Sequence, residues 1–392
     1  MSFEPLRGVR VVDLTSSLAG PTCTQILAAL GADVVKVEHP QRGDEARAWG
    51  PQFFEGGSAM FFAANTSKRS LALDVKTPAG MEALLRLVDR ADVFVQSMRP
   101  GAADRLGLGS GPLRARNERL VYCSVGAFGH EGPLAAQPGY DPLMQAFTGL
   151  VSITGEPDRP GARVGTSLID LGTGVWAALG ILAALHERAQ TARGREVDVA
   201  LFETGLSLVG YQLTDALRTG VAPGRFGTAF PLIAPYEVFA TADGELMIAA
   251  ANDGLFARLC TAIGRPELVE DPRFRTNPDR LAYRDELLPL IRERLARRTS
   301  AEWISALEGV PVAPVQDIAQ AAAHEQTRAS GMLQELGGSE TVALPLKIDR
   351  RRISHSTAAP TLGAQSAEIL AELGYSDDLI ESLAAAGVTR LA

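Results

Sequence analysis

The chain has 392 residues, 46% hydrophobic and 21% charged, with Gly 39 and Pro 23. That is ordinary globular composition with room for two or three domains, and it excludes collagen, coiled coil and bulk disorder. Lys and Arg number 38 against 46 Asp and Glu, so the net charge is −8. This argues against a nucleic-acid partner but not against a small polyanion held by a local basic cluster.

The first third alternates strand and helix signals. Val9 to Leu14 is a short apolar run, followed by a loop at Ser16, Ser17 and Gly20. Pro21 fits the first turn of a helix that carries Ile26, Leu27 and Leu30 and stops at Gly31. Strands are expected at Asp33 to Val37, Ser70 to Leu73, Asp92 to Val95 and Leu120 to Val125, with a helix at Thr77 to Asp89. Apolar runs separated by helices predict a parallel sheet covered on both faces, hence an α/β fold.

Gly172 to Glu187 reads as a helix apolar on most sides, and such helices are buried. A strand at Glu196 to Leu201 and a long apolar helix to about Leu217 follow. Gly220 to Pro231 reads as a linker. Tyr236 to Thr241, Asp243-Gly244 and Glu245 to Ala250 make a hairpin signal, followed by amphipathic helices at Tyr283 to Arg298 and Ser300 to Leu307. Two short helices, Ser366 to Leu373 and Asp377 to Ala385, close the chain. Residues 1–220, completed by 330–392, are expected to form a large domain. Residues 221–329 would supply the linker and a smaller α+β domain. Met1 to Arg10 has no apolar signal core, and the run Gly174 to Leu185 is shorter than the ~18–20 residues that span a bilayer. A cytoplasmic protein with no membrane partner is expected.

Several chemistries lack their residues. There is no Gly-Lys pair for a P-loop and no HExxH, and the five histidines are scattered, so no metal site is indicated. Cys23, Cys123 and Cys260 are far apart and form no CxxC, so they read as buried apolar residues. Glu38 ends the second strand where a ribose-binding acid of a dinucleotide site would stand. The loop Thr15 to Pro21, however, has one Gly where that fingerprint needs three.

Asp170 stands out, just ahead of the apolar helix in Ser167-Leu-Ile-Asp170-Leu-Gly172-Thr-Gly174. The plain reading is a helix N-cap. The alternative is a nucleophile, with the two glycines clearing space for a ligand or another backbone.

The opening Leu6-Arg-Gly-Val-Arg-Val-Val-Asp13, then Ala19-Gly-Pro21 and Leu30-Gly-Ala-Asp33 to Glu38, resembles the class III CoA-transferases, the CaiB/BaiF family. So do Asn65-Thr-Ser-Lys68-Arg69, Arg99-Pro-Gly101, Gly139-Tyr-Asp141, Asp170-Leu-Gly-Thr-Gly174 and Gly194-Arg-Glu-Val-Asp-Val199. The family also contains the α-methylacyl-CoA racemases. The resemblance implies a Rossmann-like large domain and two chains interlocked as a homodimer. It implies CoA transfer from an acyl-CoA to a carboxylic acid, with Asp170 as nucleophile, acyl-CoA as substrate and no tightly bound cofactor. By the same resemblance, CoA contacts fall on Ser17, Leu18, His39, Leu73, Lys76, Ser97, Met98, Arg99 and Arg105, and Tyr140 lines the pocket at the reactive carbonyl. Asn65, Lys68 and Arg69 match the motif without an assigned contact. Two departures carry information. Leu18 stands where the formyl- and oxalyl-CoA enzymes have Gln, and their glycine lid is missing near Gly227 to Pro231, which disfavours formate or oxalate. Tyr140 stands where the racemases have a His base, and a phenol with an ordinary pKa near ~10 is a poor base at neutral pH, which favours transfer over racemisation.

Overall fold

A computed structural model describes residues 3–51, 53, 54 and 56–392. They form two compact units. The larger holds the chain up to Leu150, Arg163–Gly220 and Gln326–Ala392, and the smaller holds Val151–Ala162 and Val221–Glu325. The composition break at Gly220 gives no sign of residues 151–162. They join the smaller unit because Gly227 N–H donates to the Gly155 carbonyl, and the Arg225 guanidinium to the carbonyls of Glu156, Pro157 and Arg159.

The larger unit is built on six parallel strands: β1 (Arg10–Leu14), β2 (Asp33–Glu38), β3 (Arg69–Leu73), β4 (Val93–Gln96), β5 (Val121–Gly126) and β6 (Glu196–Ala200). Their order across the sheet is β3-β2-β1-β4-β5-β6, and the C-terminal pair Thr389–Arg390 runs antiparallel along β3. This is a doubly wound order that reverses between β1 and β4, where such sheets open a crevice at the strands' carboxyl ends.

Alternation along the strands sends side chains to two faces. Val11, Val34, Val93 and Val121 pack with Leu27 of helix α1 (Ala19–Ala29). Val12, Val35 and Phe94 pack with Leu84 of α2 (Pro78–Asp89) and with Ile369, Leu370 and Ile380 of the two C-terminal helices. Both faces are covered, so the strands read as continuous apolar runs. The helices that matter next are α3 (Asp141–Phe147), α4 (Leu168–Thr191) and α5 (Leu201–Leu208).

Two sequence expectations change here. The helix expected up to Leu217 is two helices, α5 and Gly210–Thr219, separated at Val209. Helix α4 starts earlier than expected, so Asp170 lies inside its first turn, and it is not buried all round. Ala177 and Ile181 are core residues, whereas Leu171, Val175, Trp176 and Leu179 are exposed. By length and composition α4 is the one described helix able to cross a bilayer, yet it packs along α1, α3, α5, β5 and β6.

In the smaller unit Tyr236–Ala240 and Glu245–Ala249 pair as the expected hairpin, and Val312–Pro314 adds a third strand. Phe239, Ile248, Phe256, Ile291 and Trp303 fill its core.

Candidate active site

Ser167 occupies the cap position of α4, but its side chain makes no cap hydrogen bond. The cap comes from another helix. Asp141, the first residue of α3, accepts through one oxygen (Oδ2) from the Ile169 amide at 2.7 Å and the Asp170 amide at 3.2 Å. Its other oxygen accepts from Gln145 Nε2 at 2.6 Å, and the side chain is 1% exposed. Gln145 Oε1 in turn accepts from the Val164 amide at 2.8 Å, fixing the segment that leads into α4. The N-cap reading of Asp170 therefore fails, because Asp141 does that work.

The Asp170 carboxylate is left half-buried, and among the described residues nothing donates a hydrogen bond to it. Burial, and then the negative charge of Asp141, push its pKa up to about 7. The nearby glycines serve packing. A Cβ at Gly174 would lie 2.7 Å from the Ala19 carbonyl oxygen, so this Gly lets α4 close onto the start of α1. A Cβ at Gly172 would meet Thr204 of α5 at 3.1 Å.

The loop between β1 and α1 is held in an unusual shape. Ser17 has φ +70°, a region that non-glycine residues rarely enter. Its amide donates to Asp44 Oδ1 at 3.0 Å and its hydroxyl to Glu45 Oε1 at 2.6 Å. The Ser16 amide donates to Ser97 Oγ at 3.0 Å, joining the loops on either side of the order reversal.

A buried ionic cluster lies beneath this loop. Asp13, at the end of β1, accepts from the Thr15 amide and hydroxyl, from Thr24 Oγ1 and from Lys68 Nζ at 3.0 Å. Lys68 also donates to the Pro21 carbonyl at 2.9 Å and to Asn65 Oδ1 at 2.7 Å. Lys36 pairs with Asp44 at 2.8 Å and donates to the Thr15 carbonyl at 3.0 Å. Burial alone would raise the Asp13 carboxyl, but Lys68, Lys36 and the hydroxyls of Thr15 and Thr24 outweigh it and hold it at about 2. Asn65 and Lys68 are thus structural.

Glu38 is not a free ribose-binding acid, nor is it solvated. It is 4% exposed and accepts from Arg47 at 2.7 and 2.8 Å, from Ser70 Oγ at 2.8 Å and from the Asp44 amide at 3.0 Å.

A cavity of about 1490 Å³ opens at the carboxyl ends of the strands, within the larger unit. Its wall includes Ser17, His39, Arg42, Ser97, Arg99, Tyr140 and Asp170. Among the described residues Arg42 and Arg99 form no ion pair, so both guanidinium groups are available to an anion. Elsewhere on the wall, Gln96 Nε2 donates to Ser124 Oγ at 2.9 Å. His130 Nε2 lies 3.2 Å from that same hydroxyl and 2.8 Å from Asp198 Oδ1. One ring nitrogen meets both partners, whereas a Ser-His-acid nucleophile needs the two nitrogens to be used separately. Ser124 therefore lacks the geometry of an activated serine.

Residues 6–366 match CoA-transferase family III. The chain is 40% identical over 373 residues to an acetyl-CoA:oxalate CoA-transferase from Acetobacter aceti, covering 94% of this chain and 95% of that one. It is 37% identical over 382 residues to a succinate–glutarate CoA-transferase from Agrobacterium fabrum, covering 94% and 96% respectively.

The chain belongs to CoA-transferase family III.

A crystal structure of a CaiB/BaiF family protein from Brucella suis superposes with TM-score 0.87 at 38% identity, covering 95% of this chain and all of that one. As a family III CoA-transferase, the protein is an enzyme that moves CoA between an acyl-CoA and an acid.

In this CoA-transferase the residues singled out in the sequence fall into two groups. Ser17, His39, Ser97, Met98, Arg99, Tyr140 and Asp170 line the cavity. Leu18, Leu73, Lys76 and Arg105 lie outside its wall. Leu18 is buried at the start of α1, and the Leu73 side chain packs in the core at 2% exposure. Lys76 is exposed in the turn after β3, and Arg105 is exposed beside Gly101. Reading the sequence missed Arg42, His130 and above all Asp141. Asp141-Pro142 looks locally like the start of α3, and nothing in its own segment signals that its carboxylate caps a helix 28 residues further on.

Proposed function

We propose that this enzyme transfers CoA from an acyl-CoA donor to a carboxylic acid through covalent intermediates on Asp170. The observation that carries the reading is a half-buried carboxylate, without a hydrogen-bond donor among the described residues, on the wall of a cavity large enough for a pantetheine arm. An Asp170 oxygen attacks the thioester carbonyl carbon, the C–S bond breaks, and a mixed anhydride and CoA thiolate result. The thiolate attacks the aspartyl carbonyl, giving an enzyme thioester and releasing the first acid. The acceptor carboxylate attacks that thioester and frees the thiolate, which attacks the new acyl carbonyl and regenerates Asp170. Each intermediate is itself activated, so no ATP is required.

Two features support the chemistry. The Ala19 and Gly20 amides, in the first turn of α1, belong to residues on the same cavity wall and have no protein acceptor among the described residues. They are the donors we assign to the developing oxyanion. His39, Arg42 and Arg99 would meet the phosphates of CoA, and Ser97 and Met98 its pantetheine. The relatives' names specify oxalate and glutarate, so we take the acceptor to be a dicarboxylic acid.

The test is a single-turnover reaction with an acyl-CoA donor, quenched with hydroxylamine and mapped by mass spectrometry. A hydroxamate at Asp170 is expected, with a burst of the donor's free acid, since the CoA thiolate stays on the enzyme as its thioester. The burst should grow as pH rises through about 7, because only the ionised carboxylate is a nucleophile. An unmodified Asp170 under turnover conditions would sink the proposal.

We also infer a homodimer. Leu143, Phe147, Val175, Trp176, Leu179 and Tyr211 are each between 46% and 55% exposed, on α3, α4 and the helix Gly210–Thr219. Large apolar side chains concentrated in this way mark an interaction surface. Sedimentation should give twice the 41.5 kDa chain mass, and a 41.5 kDa species at micromolar concentration would exclude the dimer.

A further inference from the structure

The geometry points to Asp141 as a positioning residue for the nucleophile: by taking the first-turn amides of α4 for itself, it keeps them from the Asp170 carboxylate. This deepens the reading of Asp170 given above and rests on it.

A carboxylate in the first turn of a helix is ordinarily stabilised by the free amides and the dipole there, and so becomes a weaker base. In α4 one Asp141 oxygen accepts from both the Ile169 and Asp170 amides, at 2.7 and 3.2 Å. Asp141 is 1% exposed and braced by Gln145, so it is fixed in that role. Among the described residues, Asp170 therefore faces the cavity with no hydrogen-bond donor and beside a buried negative charge. Acylation turns its carboxylate into a neutral anhydride and removes the repulsion between the two groups. The arrangement thus favours the acylated enzyme over the free carboxylate.

Other charges do not account for this. Of the elements packed on α4, α1 carries no charged residue and only Cys23 as a titratable one, and β5 carries only Tyr122 and Cys123. Helix α5 carries Glu203, and β6 carries Glu196 and Asp198, the latter paired with His130. On α4 itself the other ionisable groups, His186, Glu187 and Arg188, lie at the far end. Asp141 is the neighbour whose charge bears on Asp170.

The experiment compares the pH dependence of the burst of released donor acid in the wild type and in Asp141→Asn. The variant's midpoint should move down by about one pH unit, since a like charge has been removed. Its burst rate at pH 8 should fall, because the carboxylate is less basic. A variant with a lower melting temperature but an unchanged midpoint would overturn the proposal, leaving Asp141 as a helix cap only. If Asp141→Asn fails to fold, Asp141→Glu keeps the charge and should keep the wild-type midpoint. A midpoint in Asp141→Glu lowered by a full unit would equally overturn it. Absence of any burst in the wild type would instead refute Asp170 as nucleophile, so the two failures are distinguishable.

Discussion

Asp170→Asn should lower CoA transfer by roughly 10⁴-fold or more, the scale seen when a covalent nucleophile is removed. The amide keeps the shape of the carboxylate, so the cavity is preserved, but it cannot attack a thioester. Stability should move the other way. Asp170 has a folded-state pKa of about 7 against an ordinary 3.8. Between those values the folded chain holds a proton that the unfolded chain has lost, so stability falls as pH rises through that window. Above it the penalty of the charged form is fully present. At pH 8 the Asn variant should therefore unfold at equal or higher denaturant concentration than the wild type. Activity lost without stability lost separates chemistry from misfolding. Transfer within tenfold of the wild type, measured as formation of the acceptor's CoA thioester from an acyl-CoA and a carboxylic acid, would remove Asp170 from the mechanism.

The largest stability effect is expected at Lys68→Met. The Lys68 ammonium and the Asp13 carboxylate it meets at 3.0 Å are both fully buried. Removing one member of such a pair leaves an uncompensated charge, which costs about 3–5 kcal/mol. Lys36 remains near Asp13, so the lower end of that range is the expected result. The loss should appear as a lower midpoint at unchanged slope in urea. Transfer should decline as well, because Asp13 and Lys36 fix Thr15, the entry to the strained Ser17 loop on the cavity wall. A loss below about 1 kcal/mol would show that the pair is no more than an exposed ion pair in energetic terms.

The parallel sheet was legible because its strands are apolar on both faces, a signal that needs no tertiary knowledge. The C-terminal helices and the hairpin of the smaller unit were legible for similar local reasons. Lys36 shows where that logic stops. A lysine at 0% exposure inside β2 is placed there by Asp44 and by the Thr15 carbonyl, neither of which can be read from its own strand. In the candidate site, Asp170 drew attention through its local surroundings and the family motif. Its physical state could not be read, because that state is set by Asp141 on another helix. Leu73 illustrates the converse. A residue can sit in a matching motif while its side chain belongs to the core.

The sheet of the larger unit is finished by Thr389 and Arg390, almost the last residues of the chain, paired with Ala72 and Leu73 on β3. Gln365 and Ser366 cover the same edge, accepting from the Ser70 and Ala72 amides, and until these late segments arrive β3 presents an unpaired rim, of the kind that recruits strands from other molecules. During synthesis the nascent chain must therefore carry an open edge through every intermediate, with the whole smaller unit emerging before closure.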